Sequence, residues 1–134
     1  MAEDVVVKDA LTPEMTDAGR RLLEQLDTTA WRPPASLWLF VPEAGQWRLL
    51  LADPQLEATG PKTAYRQVLD ALRRVAVPES TLSLRDIAVV DPNDPLLHIL
   101  RAAIRTGPGI TAIRFSKNVI NGQYIDDAFI YRLM

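Results

Sequence analysis

The chain has 134 residues, of which 48% are hydrophobic and 24% are charged. This composition is typical of a globular domain and excludes disordered or fibrous classes. The formal net charge is −2, so no overall attraction to nucleic acid or anionic lipid is implied. Because the chain has no cysteine, disulfides, thiolate zinc sites and thiol catalysis are excluded.

The location predicted from the sequence is cytoplasmic. The N-terminal residues 1–4 are acidic and lack the basic region and apolar run of a signal peptide. No apolar segment approaches the roughly 20 residues that a membrane helix requires. The chain has many more arginines than lysines, which is a bias typical of GC-rich bacterial genomes.

Three segments show helical periodicity, and each begins with a capping residue followed by proline at the first helical position. These starts are Thr12-Pro13, Gly60-Pro61 and Asp94-Pro95. In the second segment the apolar residues lie on one face, and the polar face has Arg66 and Asp70 at the spacing of an i,i+4 ion pair. The third segment is expected to stop at the Gly107-Pro108-Gly109 sequence.

The segments between these helices predict strands. Residues 36–41 and 47–51 flank a short glycine-containing loop and predict a first hairpin. A single strand is expected over about 83–90, and residues 1–10 form either a short edge strand or a frayed terminus. The resulting order is α-β-β-α-β-α-β-β. It favours one α+β domain over residues 1–134, a two-layer sandwich with a mostly antiparallel five-stranded sheet and three helices.

The last quarter of the chain predicts a long hairpin around Asn121-Gly122, because both residues tolerate the positive φ of a type I′ turn. Counting outward from this turn pairs opposing residues. The predicted pairs are Ile120 with Gln123, Val119 with Tyr124, Lys117 with Asp126, Phe115 with Ala128, and Ile113 with Ile130. We expect Val119 and Tyr124 on the same apolar face as Ile113 and Phe115, and Lys117 beside Asp126 as a favourable charge pair.

Residues that could perform chemistry are few. His98 is the only histidine, and the third helix is expected to place it towards solvent among arginines. Asp127 is predicted to lie across from Ser116, which suggests either a polar contact or a small ligand cleft that His98 could also line. The Gly60-Pro61-Lys62-Thr63 sequence lacks the upstream glycine of a phosphate-binding loop. No metal site, cofactor or catalytic residue is therefore predicted.

Aromatic residues provide the strongest functional indication. The first hairpin sets Phe40 across from Trp47 and leaves both of its faces apolar, whereas a sheet covered on one side normally alternates. Arg114 lies beside Phe129 and Tyr131 on the second hairpin. The uncovered face is expected to meet a helix of the same chain, a second copy, or another partner. The predicted interface residues are Trp38, Phe40, Trp47, Arg114, Phe129 and Tyr131.

The sequence thus favours a protein-interaction module or accessory subunit that self-associates, rather than an enzyme. A small-molecule-binding or enzymatic domain with a cleft around Asp127 and Ser116 is the alternative. A third reading is an arginine-based nucleic-acid binder, in which Arg114 and the nearby aromatic rings would stack on bases.

Overall fold

The computed structural model describes residues 8–134. Its helices and strands follow one another as α1 (Pro13–Asp27), β1 (Ala35–Val41), β2 (Gln46–Ala52), α2 (Leu56–Thr59), α3 (Pro61–Val75), β3 (Ile87–Val90), α4 (Pro95–Arg101), β4 (Ile113–Ile120) and β5 (Gln123–Leu133). A 3-10 turn at Leu84–Asp86 precedes β3. Most of the segment 1–10, for which the sequence predicts a short edge strand or a frayed terminus, lies outside the described residues.

The strands form one five-stranded sheet in the order β3-β2-β1-β5-β4. All pairs are antiparallel except β2 with β3, which are parallel and connected through α3. The two hairpins meet where β1 pairs with β5, so the last strand of the chain lies inside the sheet. At this junction Tyr131 is an extra residue in β5, because Ile130 faces Leu37 whereas Arg132 faces Ser36.

Each face of the sheet has its own apolar cluster. On the first face, α1 and α3 cover side chains that include Trp38, Leu49 and Tyr131. On the second face, Leu97 and Leu100 of α4 pack with the alternate residues of the same strands. Alternation along β1 and β2 explains this division, since successive side chains of a strand point to opposite faces. The short helix α4 therefore adds a partial third layer to the sandwich of α1, α3 and sheet.

The three predicted helices, α1, α3 and α4, begin where the sequence predicts them, whereas the four-residue helix α2 was not predicted. The Thr12 side chain accepts a hydrogen bond of 3.2 Å from the Met15 backbone N–H, and Pro13 occupies the first turn of α1. Asp94 caps α4 in the same way through the Leu96 N–H. The helix α3 ends at Val75, and the next residue, Ala76, adopts the left-handed conformation that terminates many helices.

The predicted α+β class, the mostly antiparallel five-stranded sheet and the element order are confirmed. Two elements are shorter than expected. The helix α4 ends at Arg101, well before Gly107, and β3 begins only at Ile87. The Ser83 hydroxyl and backbone N–H both approach the Asp86 carboxylate, which stabilises the 3-10 turn in place of the first strand residues.

The register of the second hairpin is confirmed, with Ile113 opposite Ile130, Phe115 opposite Ala128 and Val119 opposite Tyr124. The predicted pairing of Lys117 with Asp126 is wrong. Lys117 has a φ of 51°, which interrupts the ladder, and within residues 8–134 no ion pair joins it to Asp126.

The interruption at Lys117 also changes which side chains of the hairpin tip are buried. Val119 is 65% exposed and Tyr124 is 52% exposed, so the prediction that they share the apolar face is wrong. Ile120 and Ile125 are buried instead and belong to the second-face cluster with Ala128. A left-handed residue in mid-strand breaks strict alternation, which is the physical reason for the exchange.

Candidate functional site

Two of the predicted interface residues lie in the core under α1. Trp38 is completely buried and Tyr131 is 2% exposed. The Trp38 indole Nε1–H donates to the Tyr131 hydroxyl at 3.0 Å, and this hydroxyl donates to the Thr16 carbonyl of α1 at 2.6 Å. Burial raises the pKa of Tyr131, so the hydroxyl keeps its proton. The sequence left open whether a helix of the same chain, a second copy or another partner covers this face. At Trp38 and Tyr131 the structure shows that α1 of the same chain covers it.

The other four predicted interface residues lie together on the first face, towards the end where β1 turns into β2. Phe40 is directly opposite Trp47, as predicted, and their rings meet edge to face at 5.6 Å. Trp47 is buried, and its backbone N–H donates a hydrogen bond of 2.8 Å to the Lys8 carbonyl. Phe40 stays half-buried.

Arg114 of β4 connects the two hairpins on this face. Its Nε and Nη2 donate to the two carboxylate oxygens of Asp127, both at 2.6 Å. Its guanidinium carbon lies 5.3 Å from the centroid of the Trp47 ring. The planar fork of arginine suits both contacts at once, with a carboxylate at its edge and an aromatic ring at its face. The hydrogen bonds to Asp127 raise the pKa of Arg114.

We call this surface the arginine–aromatic patch, which consists of Phe40, Trp47, Arg114, Asp127 and Phe129. Phe129 faces Arg114 across the β4–β5 ladder and packs edge to face on the Tyr131 ring at 5.3 Å. The patch has one positive and one negative charge, which compensate each other. Its aromatic rings are apolar, and its Arg114 and Asp127 side chains are hydrogen-bonded to each other. Arginine and aromatic residues are both enriched in protein interfaces.

The predicted ligand cleft does not bring its three residues together. Ser116 faces Asp127 across the ladder, as predicted, but Ser116 is exposed and the Asp127 carboxylate is held by Arg114. His98 is exposed on α4, which packs on the opposite face of the sheet. His98 and Asp127 therefore lie on opposite faces of the sheet, and the structure does not bring them together in one cleft.

Four surface clefts are formed by described residues, and Ser116, Asp127 and His98 line none of these four. Across residues 8–134, no three histidine or carboxylate side chains are grouped so that they could hold a metal ion.

Both edges of the sheet are poorly suited to the addition of another strand. The outer strand β4 is interrupted by Lys117 in the left-handed conformation. The opposite edge, β3, has only four residues, and the Tyr65 hydroxyl accepts a hydrogen bond from the Val89 N–H at 3.0 Å. Short, interrupted or lysine-bearing edges discourage strand pairing between molecules. Strand addition at either edge of the described sheet is therefore disfavoured.

Comparison with protein-family models, curated protein sequences and solved structures gave no match for this chain. In the part of the chain that the structure describes, every helix is too short or too polar to cross a membrane. The contact that reasoning from the sequence missed is Arg114 on Trp47, which joins residues of β4 and β2, two strands that have β5 and β1 between them in the sheet. Only the pairing of β1 with β5 brings them together.

Proposed function

We propose that this chain is a protein-interaction module that self-associates through the arginine–aromatic patch. The proposal rests on the position of Arg114. Asp127 holds its guanidinium over the Trp47 ring, and about half of the Arg114 side chain remains exposed. Arginine, tryptophan and other aromatic residues dominate the energetic centres of protein interfaces. Because Asp127 fixes the guanidinium, less conformational entropy is lost when a partner covers it.

The charges of the patch favour a second copy as the partner. A twofold contact places the same surface on both sides, so the surface must complement itself. With Arg114 beside Asp127, a twofold axis near the pair would set each charge of one copy against the opposite charge of the other. Pairing through strand edges is disfavoured by Lys117 and by the short β3, which leaves the face as the contact.

The same proposal places the protein in the cytoplasm and gives it no catalytic step. The absence of cysteine is consistent with a reducing compartment, where disulfides would not contribute to stability.

The test measures oligomer mass by native mass spectrometry and sedimentation equilibrium over a wide range of protein concentration. Arg114→Glu sets a second carboxylate beside Asp127, so we expect the dimer to dissociate at least tenfold more readily. Arg105→Glu is the matched control, because Arg105 is exposed on the connection after α4, outside the patch.

The contrast between the two variants decides the proposal. The proposal is supported if the wild type and the Arg105→Glu variant are dimers whereas the Arg114→Glu variant is a folded monomer. If the wild type keeps the mass of a 15.0 kDa monomer at all concentrations, self-association is wrong. If both variants remain dimeric, the dimer uses another surface and the patch is not the interface.

A further inference from the structure

A cleft of about 210 Å³ lies between the end of α1 and the middle of α3, away from the arginine–aromatic patch. Its volume is smaller than that of sites for drug-sized ligands and is suited to a small metabolite. Its floor is apolar and its rim is polar. The floor consists of Leu26, Trp31 and Ala71, and the rim includes Gln25, Gln67, Asp70 and Arg74.

The floor of this cleft is fixed by hydrogen bonds. The Trp31 indole Nε1–H donates to the Ala52 carbonyl at 2.9 Å, and its backbone N–H donates to the Thr29 hydroxyl at 3.1 Å. Leu26 and Ala71 are buried beside it. A ligand that enters therefore meets a preformed apolar surface, which lowers the entropy that binding must overcome.

The rim offers one carboxylate and one guanidinium that the described chain does not use. Asp70 and Arg74 are four residues apart on α3, a spacing that allows an ion pair. Within residues 8–134, however, neither forms an ion pair, and the pair of Arg66 with Asp70 expected from the sequence is also absent. Both side chains are exposed at the mouth of the cleft.

We propose that this cleft binds a small zwitterion, an α-amino acid with an apolar side chain. Asp70 accepts hydrogen bonds from the ligand ammonium group, and Arg74 donates to its carboxylate. The amides of Gln25 and Gln67 supply further donors and acceptors on either side. The apolar side chain of the ligand lies on Trp31, Leu26 and Ala71.

The charges of the rim explain why a zwitterion is favoured over simpler ions. A carboxylate without an ammonium group would pair with Arg74 but would lie close to the uncompensated charge of Asp70. An amine without a carboxylate would meet the reverse problem at Arg74. Only a ligand with both groups compensates both side chains, and each uncompensated charge would lower affinity.

The experiment follows the three tryptophan indole N–H signals of the ¹⁵N-labelled full chain by NMR. L-valine, L-leucine and L-methionine are titrated to millimolar concentration, with 4-methylpentanoate and isoamylamine as the two half-ligands, which are L-leucine without its ammonium group and without its carboxylate group. We expect the amino acids to shift the Trp31 signal, assigned through a Trp31→Phe variant. The two half-ligands are expected to bind at least tenfold more weakly than L-leucine.

Variants of the rim complete the test. Asp70→Asn and Arg74→Gln are each expected to weaken L-leucine binding at least tenfold, whereas Arg66→Gln on the same helix leaves it unchanged. The proposal is overturned if no amino acid shifts the Trp31 signal, or if a half-ligand binds as well as L-leucine. Equal binding by the rim variants and the Arg66→Gln control would also overturn it. Oligomer mass is measured in parallel, so failure here is distinct from failure of the dimer proposal.

Discussion

The Trp38 indole donates a 3.0 Å hydrogen bond to the Tyr131 hydroxyl, and thereby connects β1 to β5 beneath the helix α1. The hydroxyl in turn donates to the Thr16 carbonyl, so sheet and helix share one buried hydrogen-bonded chain. Gly19 of α1 lies directly above both groups. A Cβ atom at this position would meet the Tyr131 hydroxyl, and would lie 2.9 Å from the Trp38 Nε1.

Gly19→Ala is expected to lower the free energy of unfolding by about 1–3 kcal/mol, because the added methyl group overpacks the contact of α1 with the sheet. This loss is opposite in sign to the usual effect, because alanine in a helix normally stabilises it relative to glycine by about 1 kcal/mol. Urea unfolding measures the change. Gly107→Ala is the control, since no atom lies within 4 Å of a Cβ built there. A Gly19→Ala protein as stable as the control would contradict the close approach.

Tyr131→Phe leaves the Trp38 N–H without a partner and removes the second hydrogen bond that the Thr16 carbonyl accepts, so a loss of about 1–3 kcal/mol is expected at neutral pH. The loss should also depend on pH. Because burial raises the pKa of Tyr131, the folded chain keeps this proton after the unfolded chain has lost it. The stability that Tyr131 contributes is therefore fully present below about pH 10, the pKa in the unfolded chain, and declines as the pH rises further.

The measurement is denaturant unfolding of wild type and Tyr131→Phe from about pH 8 to about pH 11. We expect the difference in unfolding free energy between the two proteins to shrink over the upper part of this range. Tyr124→Phe is the control, because Tyr124 is half exposed and its stability profile should run parallel to that of the wild type. A constant difference between wild type and Tyr131→Phe would contradict the prediction.

Asp27→Asn tests the ion pair that fixes the end of α1 to β5. Arg132 is nearly buried and donates to both Asp27 carboxylate oxygens, at 3.0 Å and 2.8 Å. Removing one partner of such a pair leaves an uncompensated charge, so we expect a loss of about 3 kcal/mol. Asp17→Asn, which removes an exposed partner of Arg20, should cost less than about 1 kcal/mol. Similar losses for the two variants, measured by urea unfolding, would contradict the difference in burial.

Lys117→Gly should stabilise the protein by up to about 1 kcal/mol. The left-handed conformation costs an L-residue about 1–2 kcal/mol, and this exceeds the extra entropy that glycine loses on folding. Asn118→Gly is the control, because Asn118 does not have a positive φ and should lose stability with glycine. Thermal unfolding distinguishes them, and a destabilised Lys117→Gly variant would show that the lysine side chain contributes more than its backbone strain costs.

Local patterns in the sequence predicted much of the fold. Asn121-Gly122 determined the register of the second hairpin, since a two-residue turn leaves no freedom in the pairing. The Pro13, Pro61 and Pro95 residues marked the helix starts, because proline is favoured in the first helical turn. These features depend on neighbours within a few positions of the chain.

Features that depend on distant residues could not be predicted. The alternation of β1 showed two apolar faces, but only the strand order decides that α1 covers Trp38 whereas Phe40 stays half-buried. The contact of Arg114 with Trp47 likewise requires the pairing of β1 with β5. Lys117 is a third case, since no local signal favours a positive φ for lysine in a strand.

The position of β5 inside the sheet has a consequence for biosynthesis. Its partner β1 lies almost a hundred residues earlier in the chain, as in the pairing of Ala35 with Leu133. A ribosome translates the other four strands and four helices before it reaches β5, and until then β1 has an unpaired edge. Such edges are sites of aggregation and of chaperone binding. Folding is therefore expected to complete only after β5 has left the ribosome, and to be slow because the closing contacts are distant in sequence.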